Sequence, residues 1–367
     1  MEKDQNVTPG KSLLNEQNKD TGKYTGPEKE ITKSDFEQEE GKINRELSGN
    51  NGLFIVQPAN AWLQVAAQRP IPQMLFGKLW FEGEICILFA DTNLGKSILA
   101  VQIADSISRG KEISGFPLEA ARQPVLYFDY ELSDKQFEVR YSVDYRDHYV
   151  FDDNFLRAEI DPERADYQGE GFNSLEEYIN VSLERSIIAS GAKVLIIDNL
   201  TYLRSETEKA KDALPLMKEL KALKSRYKLS ILALAHTPKR DLSKPITRND
   251  LQGSKMLINF CDSAFALGDS FRDKRLRYIK QIKARNTEII YDADNVALCQ
   301  IDKPANFLQF EFLDFSTERE HLKQPTETDR TKLIEQAKEL SQQGRSQRQI
   351  AAELNISVGA VNKYLKS

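Results

Sequence analysis

Ala90-Asp91-Thr92-Asn93-Leu94-Gly95-Lys96-Ser97 follows directly on the apolar run Ile85-Cys86-Ile87-Leu88-Phe89, and Ile98 opens an amphipathic segment that continues to Ile107. An apolar strand, a tight loop and a helix start at this spacing are the parts of a phosphate-binding loop. Backbone N–H groups along Ala90–Ile98 are expected to wrap phosphates, aided by the positive end of the helix dipole. Lys96 is placed for the β- and γ-phosphates of a nucleoside triphosphate, ATP in the first instance, and Ser97 for Mg²⁺. The first position, usually glycine, is Ala90, which fits where the local φ is negative.

Outward from this loop, apolar runs alternate with longer amphipathic segments. The pattern predicts strands over 85–89, 125–129, 194–198, 230–235, 263–267, 276–284 and 307–313. It predicts helices over 96–109, 133–143, 174–190 and 207–226. Such alternation implies an α/β fold with a mostly parallel sheet covered on both faces. The late strands, which lack intervening helices, imply an antiparallel extension at one edge.

Two strands end in acids. Val194-Leu195-Ile196-Ile197-Asp198 downstream of a phosphate loop reads as the second nucleotide motif, with Asp198 holding Mg²⁺ through its hydration shell. Val125–Asp129 runs into Tyr130-Glu131-Leu132-Ser133, and Glu131 is the candidate base for the attacking water. Asp129 is either structural or a contact to metal-bound water; Ser133 or Asp134 caps the next helix. The strand 231–235 ends in His236, which either contacts the γ-phosphate or is structural.

Composition sets the frame. The 367 residues are 40% hydrophobic and 29% charged, as in a soluble globular chain. No run approaches the ~20 apolar residues of a membrane span. The opening Met1–Asn6 carries no signal-peptide core, so a cytoplasmic chain without a membrane partner is expected. Cys86, Cys261 and Cys299 are far apart and read as buried free thiols; His148, His236 and His321 are too scattered for a metal cluster. The net charge is −5, yet residues 330–367 carry +4, which marks the tail for a polyanion. The chain thus divides into a polar, disordered arm (1–50), an ATPase core (51–316), a linker (317–329) and a small all-α domain (330–367).

Together these motifs resemble the RecA-like core of DnaB-type and RepA-like replicative helicases and their ATPase relatives, over about residues 60–314. The family's glutamate falls on Glu131, its metal-site aspartate on Asp198, and its sensor glutamine is replaced by His236. Asp250-Leu251-Gln252-Gly253-Ser254-Lys255 before Cys261-Asp262-Ser263 is similar to the family's Gly-Ser segment. Ile282-Lys283-Ala284-Arg285-Asn286 resembles the Lys-x-Arg-Asn segment whose basic residues reach the nucleotide of the adjacent subunit. The resemblance therefore implies a homo-oligomer, a hexamer, with Arg285 as an arginine finger and Lys283 beside it. The alternative is that both alternate on the solvent face of an edge strand. The loop with Lys239, Arg240, Lys244 and Arg248 corresponds to one that lines the channel of ring helicases, where it tracks single-stranded DNA; a charged surface loop has the same composition. The chain lacks the separate helical amino-terminal domain of DnaB-type enzymes.

In the tail, Gln347–Val361 resembles a helix-turn-helix of the resolvase and sigma-factor type. Its second helix presents Ser357, Asn362 and Lys363 to the major groove of duplex DNA, and Arg345 and Arg348 meet phosphates. A three-helix protein-interaction module is the alternative. The resemblance implies a ring-forming helicase or translocase that serves replication of a plasmid or mobile element, or else an ATP-switched DNA-binding regulator or loader.

Overall fold

Every residue from Ile85 to Ala90 is buried, because this segment is a central strand covered on both faces. The computed structural model describes residues 54–164, 166, 171–203, 213–238, 240–251, 254–324, 327–354 and 356–366. The expected arm over 1–50, Lys239, Gln252 and Gly253 lie outside the described residues. The chain divides at Pro70 into two units. In the first, Ala59–Ala67 forms helix α1, opened by Pro58, with no buried side chain.

The second unit holds strands β1 (Met74–Phe76), β2 (Trp80–Phe81), β3 (Ile85–Ala90), β4 (Val125–Asp129), β5 (Ser142–Val143), β6 (Asp147–His148), β7 (Phe155–Ala158), β8 (Val194–Asp198), β9 (Ser230–His236), β10 (Ser263–Asp269), β11 (Leu276–Lys283), β12 (Val296–Asp302) and β13 (Gln309–Ser316). Its helices are α2 (Lys96–Arg109), α3 (Asp134–Arg140), α4 (Leu175–Ser190), α5 (Ala213–Tyr227), α6 (Ser254–Phe260), α7 (Glu327–Gln342), α8 (Gln347–Glu353) and α9 (Val358–Lys366). Nine strands make one sheet in the order β13-β12-β11-β10-β3-β9-β8-β4-β7. Pairing is parallel from β10 to β7 and antiparallel from β10 to β13. The mixed α/β fold with a large, mostly parallel sheet is as the sequence led us to expect. Within this sheet β7 and β12 are additions to the predicted strands; outside it, the short strands β1, β2, β5 and β6 are further additions, and β5 replaces the end of the helix expected over 133–143.

The period of two along β3 sorts its side chains between two cores. Cys86, Leu88 and Ala90 join Leu99, Ile103 and Ile107 of α2 on one face. Ile85, Ile87 and Phe89 join Leu183 of α4, Leu220 of α5 and Leu257 of α6 on the other. The antiparallel extension folds back onto α2: the Gln102 amide donates to Phe310 O (2.9 Å) and accepts from Phe310 N (2.8 Å). All three cysteines are free and buried. No helix among the described residues is long and apolar enough to cross a membrane.

The expected linker is only partly one. Glu318, His321 and Leu322 are buried, since Glu318 accepts Ile246 N (2.7 Å) and Tyr278 Oη (3.2 Å) and meets the Lys280 ammonium. Beyond it, α7–α9 gather around Ala337, Ile350, Ala351 and Val361. Ser346 and Gln349 form a capping box at the start of α8. Ser357 Oγ accepts Ala360 N (3.1 Å) at the start of α9.

Candidate nucleotide site

Register sets the site. Ala90 of β3 pairs with His236 of β9, Ile197 of β8 with Ala233 of β9, and Asp198 of β8 with Asp129 of β4. The carboxyl ends of four adjacent strands therefore bring the phosphate loop, His236, Asp198 and the Glu131 turn into one row, where an open α/β sheet binds its ligand.

The loop itself is built for close backbone approach. Asn93 (φ 65°) and Gly95 (φ 95°) adopt left-handed conformations. A Cβ on Gly95 would also stand 2.9 Å from Ile301 Cδ1. Ala90 needs no such freedom, because it is the last residue of β3 and is paired in the sheet. Lys96 begins α2 and is buried; its Nζ donates to Ala90 O (3.0 Å) and Asp91 O (3.2 Å) and lies 3.2 Å from His236 Nδ1. Burial lowers the Lys96 pKa, against the charges of Asp198, Glu131 and Asp91.

Asp198 is buried and accepts Tyr127 Oη at 2.7 Å. Burial raises its pKa to about 6, although hydrogen bonds from Ser97 and Tyr127 oppose the rise. A buried carboxylate bonded to the Ser97 hydroxyl is a set of hard oxygen donors that fits Mg²⁺. The peptide between Asp198 and Asn199 is cis.

Glu131 is partly exposed, and its Oε1 accepts the Asn199 amide and faces His236 Nε2 at 3.3 Å. The His236 hydrogen bond chiefly lowers its pKa, so the carboxylate stays ionised as a base must. Asp129 serves structure: it accepts Glu131 N (3.2 Å) and Leu132 N (3.0 Å) and is clamped by Arg157 of β7 at 2.9 Å. Ser133 caps α3 in a capping box with Gln136.

Two placements differ from the sequence reading. Arg240 is almost fully buried, with Nε 3.4 Å from Asp91 Oδ2; it faces the phosphate loop instead of a DNA strand. Lys283 donates to Cys261 O (2.7 Å) and Ile258 O at the end of α6, so its ammonium caps a helix. Arg285 reaches Asp262 Oδ1 (3.0 Å) with its side chain half exposed. Lys244 is half-buried near Asp241 and Arg248 is exposed. In the tail Arg345, Arg348, Ser357 and Lys363 are exposed and Asn362 is partly so.

Sequence reasoning did not find Tyr127, Asn199, Arg157 or Thr237. Thr237 Oγ1 donates to Asp91 Oδ1. Only Asn199 and Thr237 carried a signal, each following a strand-end residue already singled out.

A phosphate loop, a buried aspartate and an ionised glutamate on neighbouring strand ends are the parts of a P-loop nucleoside triphosphatase. A protein-family profile described as an AAA domain matches residues 57–241, half of the chain. The chain belongs to that AAA domain family and is a P-loop ATPase. No curated protein matches its sequence. Among solved structures it is similar to a KaiC-like protein from the hyperthermophilic archaeon Pyrococcus horikoshii OT3. Identity is 15%, over 63% of this chain and 90% of that one, with a TM-score of 0.41.

Proposed function

We propose that this ATPase is Mg²⁺-dependent, assembles head to tail into a ring, and moves along single-stranded DNA in replication of a plasmid or mobile element. The observation that carries the assembly is the position of Arg285. Its partner Asp262 also accepts Ile85 N (2.9 Å) at the start of β3, whereas the phosphate loop leaves the other end of that strand. Six strand residues span about 20 Å. Arg285 therefore serves no phosphate of its own subunit, and a head-to-tail contact brings it to a neighbour's.

At each such contact Lys96 and the loop N–H groups hold the phosphates, and Glu131 takes a proton from water. The water oxygen bonds to the γ-phosphorus, the bond to the bridging oxygen breaks, and ADP leaves with that electron pair. Arg285 offsets the charge that develops. Ser97 and Asp198 would hold Mg²⁺, which when bound neutralises phosphate charge. Lys244 and Arg248, with Lys239, are the residues proposed to follow the DNA strand.

A second reading, an ATP-switched DNA-binding regulator or helicase loader, is favoured by the tail. There α7–α9 would form a helix-turn-helix on duplex DNA, with Arg345 and Arg348 on phosphates and Ser357, Asn362 and Lys363 at base edges. Steady-state ATP hydrolysis without DNA, with single strands of unrelated sequence and with duplex separates the two. Stimulation by any single strand supports the motor. A response to particular duplexes alone refutes it in favour of the regulator.

A further inference from the structure

The two carboxylate oxygens of Glu131 have different surroundings. Oε1 accepts the Asn199 amide and lies 3.3 Å from His236 Nε2. Among the described residues no hydrogen bond reaches Oε2. Asn199 is buried at the end of β8, and its Oδ1 accepts Thr201 N at 2.8 Å. Both ends of the amide are thereby committed, since a flip would set its carbonyl against Glu131 and its NH₂ against an N–H donor. His236 sits among the same groups: its Nδ1 lies 3.2 Å from Lys96 Nζ, and its Nε2 lies 3.1 Å from the Asn199 amide nitrogen and 3.3 Å from Glu131 Oε1.

We propose that Asn199 is a positioning residue for hydrolysis: its amide anchors Oε1, so that Oε2 is the oxygen that takes the proton from the attacking water. The inference rests on Glu131 being the general base. The terminal torsion of a glutamate is broad, and on a partly exposed turn an unanchored carboxylate samples orientations that do not face the water. A base displaced by about 1 Å forfeits on the order of a hundredfold in rate.

Asn199→Asp isolates this role, because it keeps an acceptor for Thr201 N and replaces the donor to Glu131 by a second acceptor. The expected result is a kcat about a hundredfold lower, with binding of a fluorescent ATP analogue retained and a melting temperature lowered by the buried charge. Asn199→Ala loses kcat similarly. In a Glu131→Gln background Asn199→Asp lowers the residual rate no further, because the anchored base is already gone. Wild-type kcat in Asn199→Asp, or a full additional loss in the Glu131→Gln background, overturns the proposal while the ATPase reading stands. Equal turnover by wild type and Glu131→Gln overturns both.

Discussion

Arg240 Nε lies 3.4 Å from Asp91 Oδ2, which fastens the segment after β9 to the second residue of the phosphate loop. Thr237 Oγ1 donates to the other carboxylate oxygen, and Arg240 also reaches Lys244 O at 3.4 Å. Burial raises the Asp91 pKa, against the charge of Arg240. Arg240→Ala removes the counter-charge and is expected to cost about 1–3 kcal/mol of stability. The check is a melting curve set beside DNA affinity. A lowered melting temperature with DNA affinity less affected than in Arg248→Ala supports the placement; the reverse pattern contradicts it.

Arg285 and the phosphate loop sit at opposite ends of β3, so the loss of one should be repairable by a different subunit. Arg285→Ala is expected to bind ATP normally and to lose on the order of 10³-fold in kcat. Its ion pair with Asp262 is half exposed, so stability should change by less than about 1 kcal/mol. Titrating Arg285→Ala with Glu131→Gln subunits is expected to restore turnover at mixed interfaces. No recovery at any ratio argues against action across the interface.

His321 is fully buried between Ser270 Oγ (2.8 Å from Nδ1) and Ser316 Oγ (2.9 Å from Nε2). Burial, assisted by the Arg272 charge and opposed by Glu320, holds its pKa below 6.5. The unfolded chain therefore takes up this proton first as the pH falls. The stability contributed by neutral His321 is complete above about pH 6.5 and is lost as the pH drops through the folded value. Melting temperatures between pH 7.5 and 5 should fall more steeply for the wild type than for His321→Gln. Identical slopes would exclude the assignment.

Gly268 of β10 faces Tyr278 of β11 across the antiparallel pair. A Cβ there would stand 1.9 Å from Tyr278 Cζ, and Tyr278 is fully buried. Gly268→Ala must displace that ring and its bond to Glu318. About 1–3 kcal/mol is expected from overpacking, or roughly 2–4 °C of melting temperature per kcal/mol at this size. A variant that melts with the wild type would show that the ring yields freely.

Much of this was readable in the chain because parallel strands buried on both faces are continuous apolar runs. The segments 125–129 and 194–198 are strands β4 and β8 to the residue, and helix α2 covers 96–109 as its pattern predicts. The half-buried β7 is a short edge strand with Arg157 inside it, and no periodicity distinguishes four such residues from a loop. Site residues at strand ends were legible because their motif fixes their place. Tyr127 and Arg157 were not, since each meets its partner only across neighbouring strands. Arg240 shows the limit of charge counting: a basic loop residue reads as solvated unless its partly buried counter-ion, 149 positions earlier in the chain, is known.

The most direct test is ATP binding and hydrolysis by Glu131→Gln beside the wild type and Lys96→Ala. The account predicts that Glu131→Gln binds ATP with wild-type affinity and turns over about 10²- to 10⁴-fold more slowly, while Lys96→Ala loses tight binding. Wild-type turnover by Glu131→Gln would contradict the assignment of the base, and with it the chemistry drawn from this site.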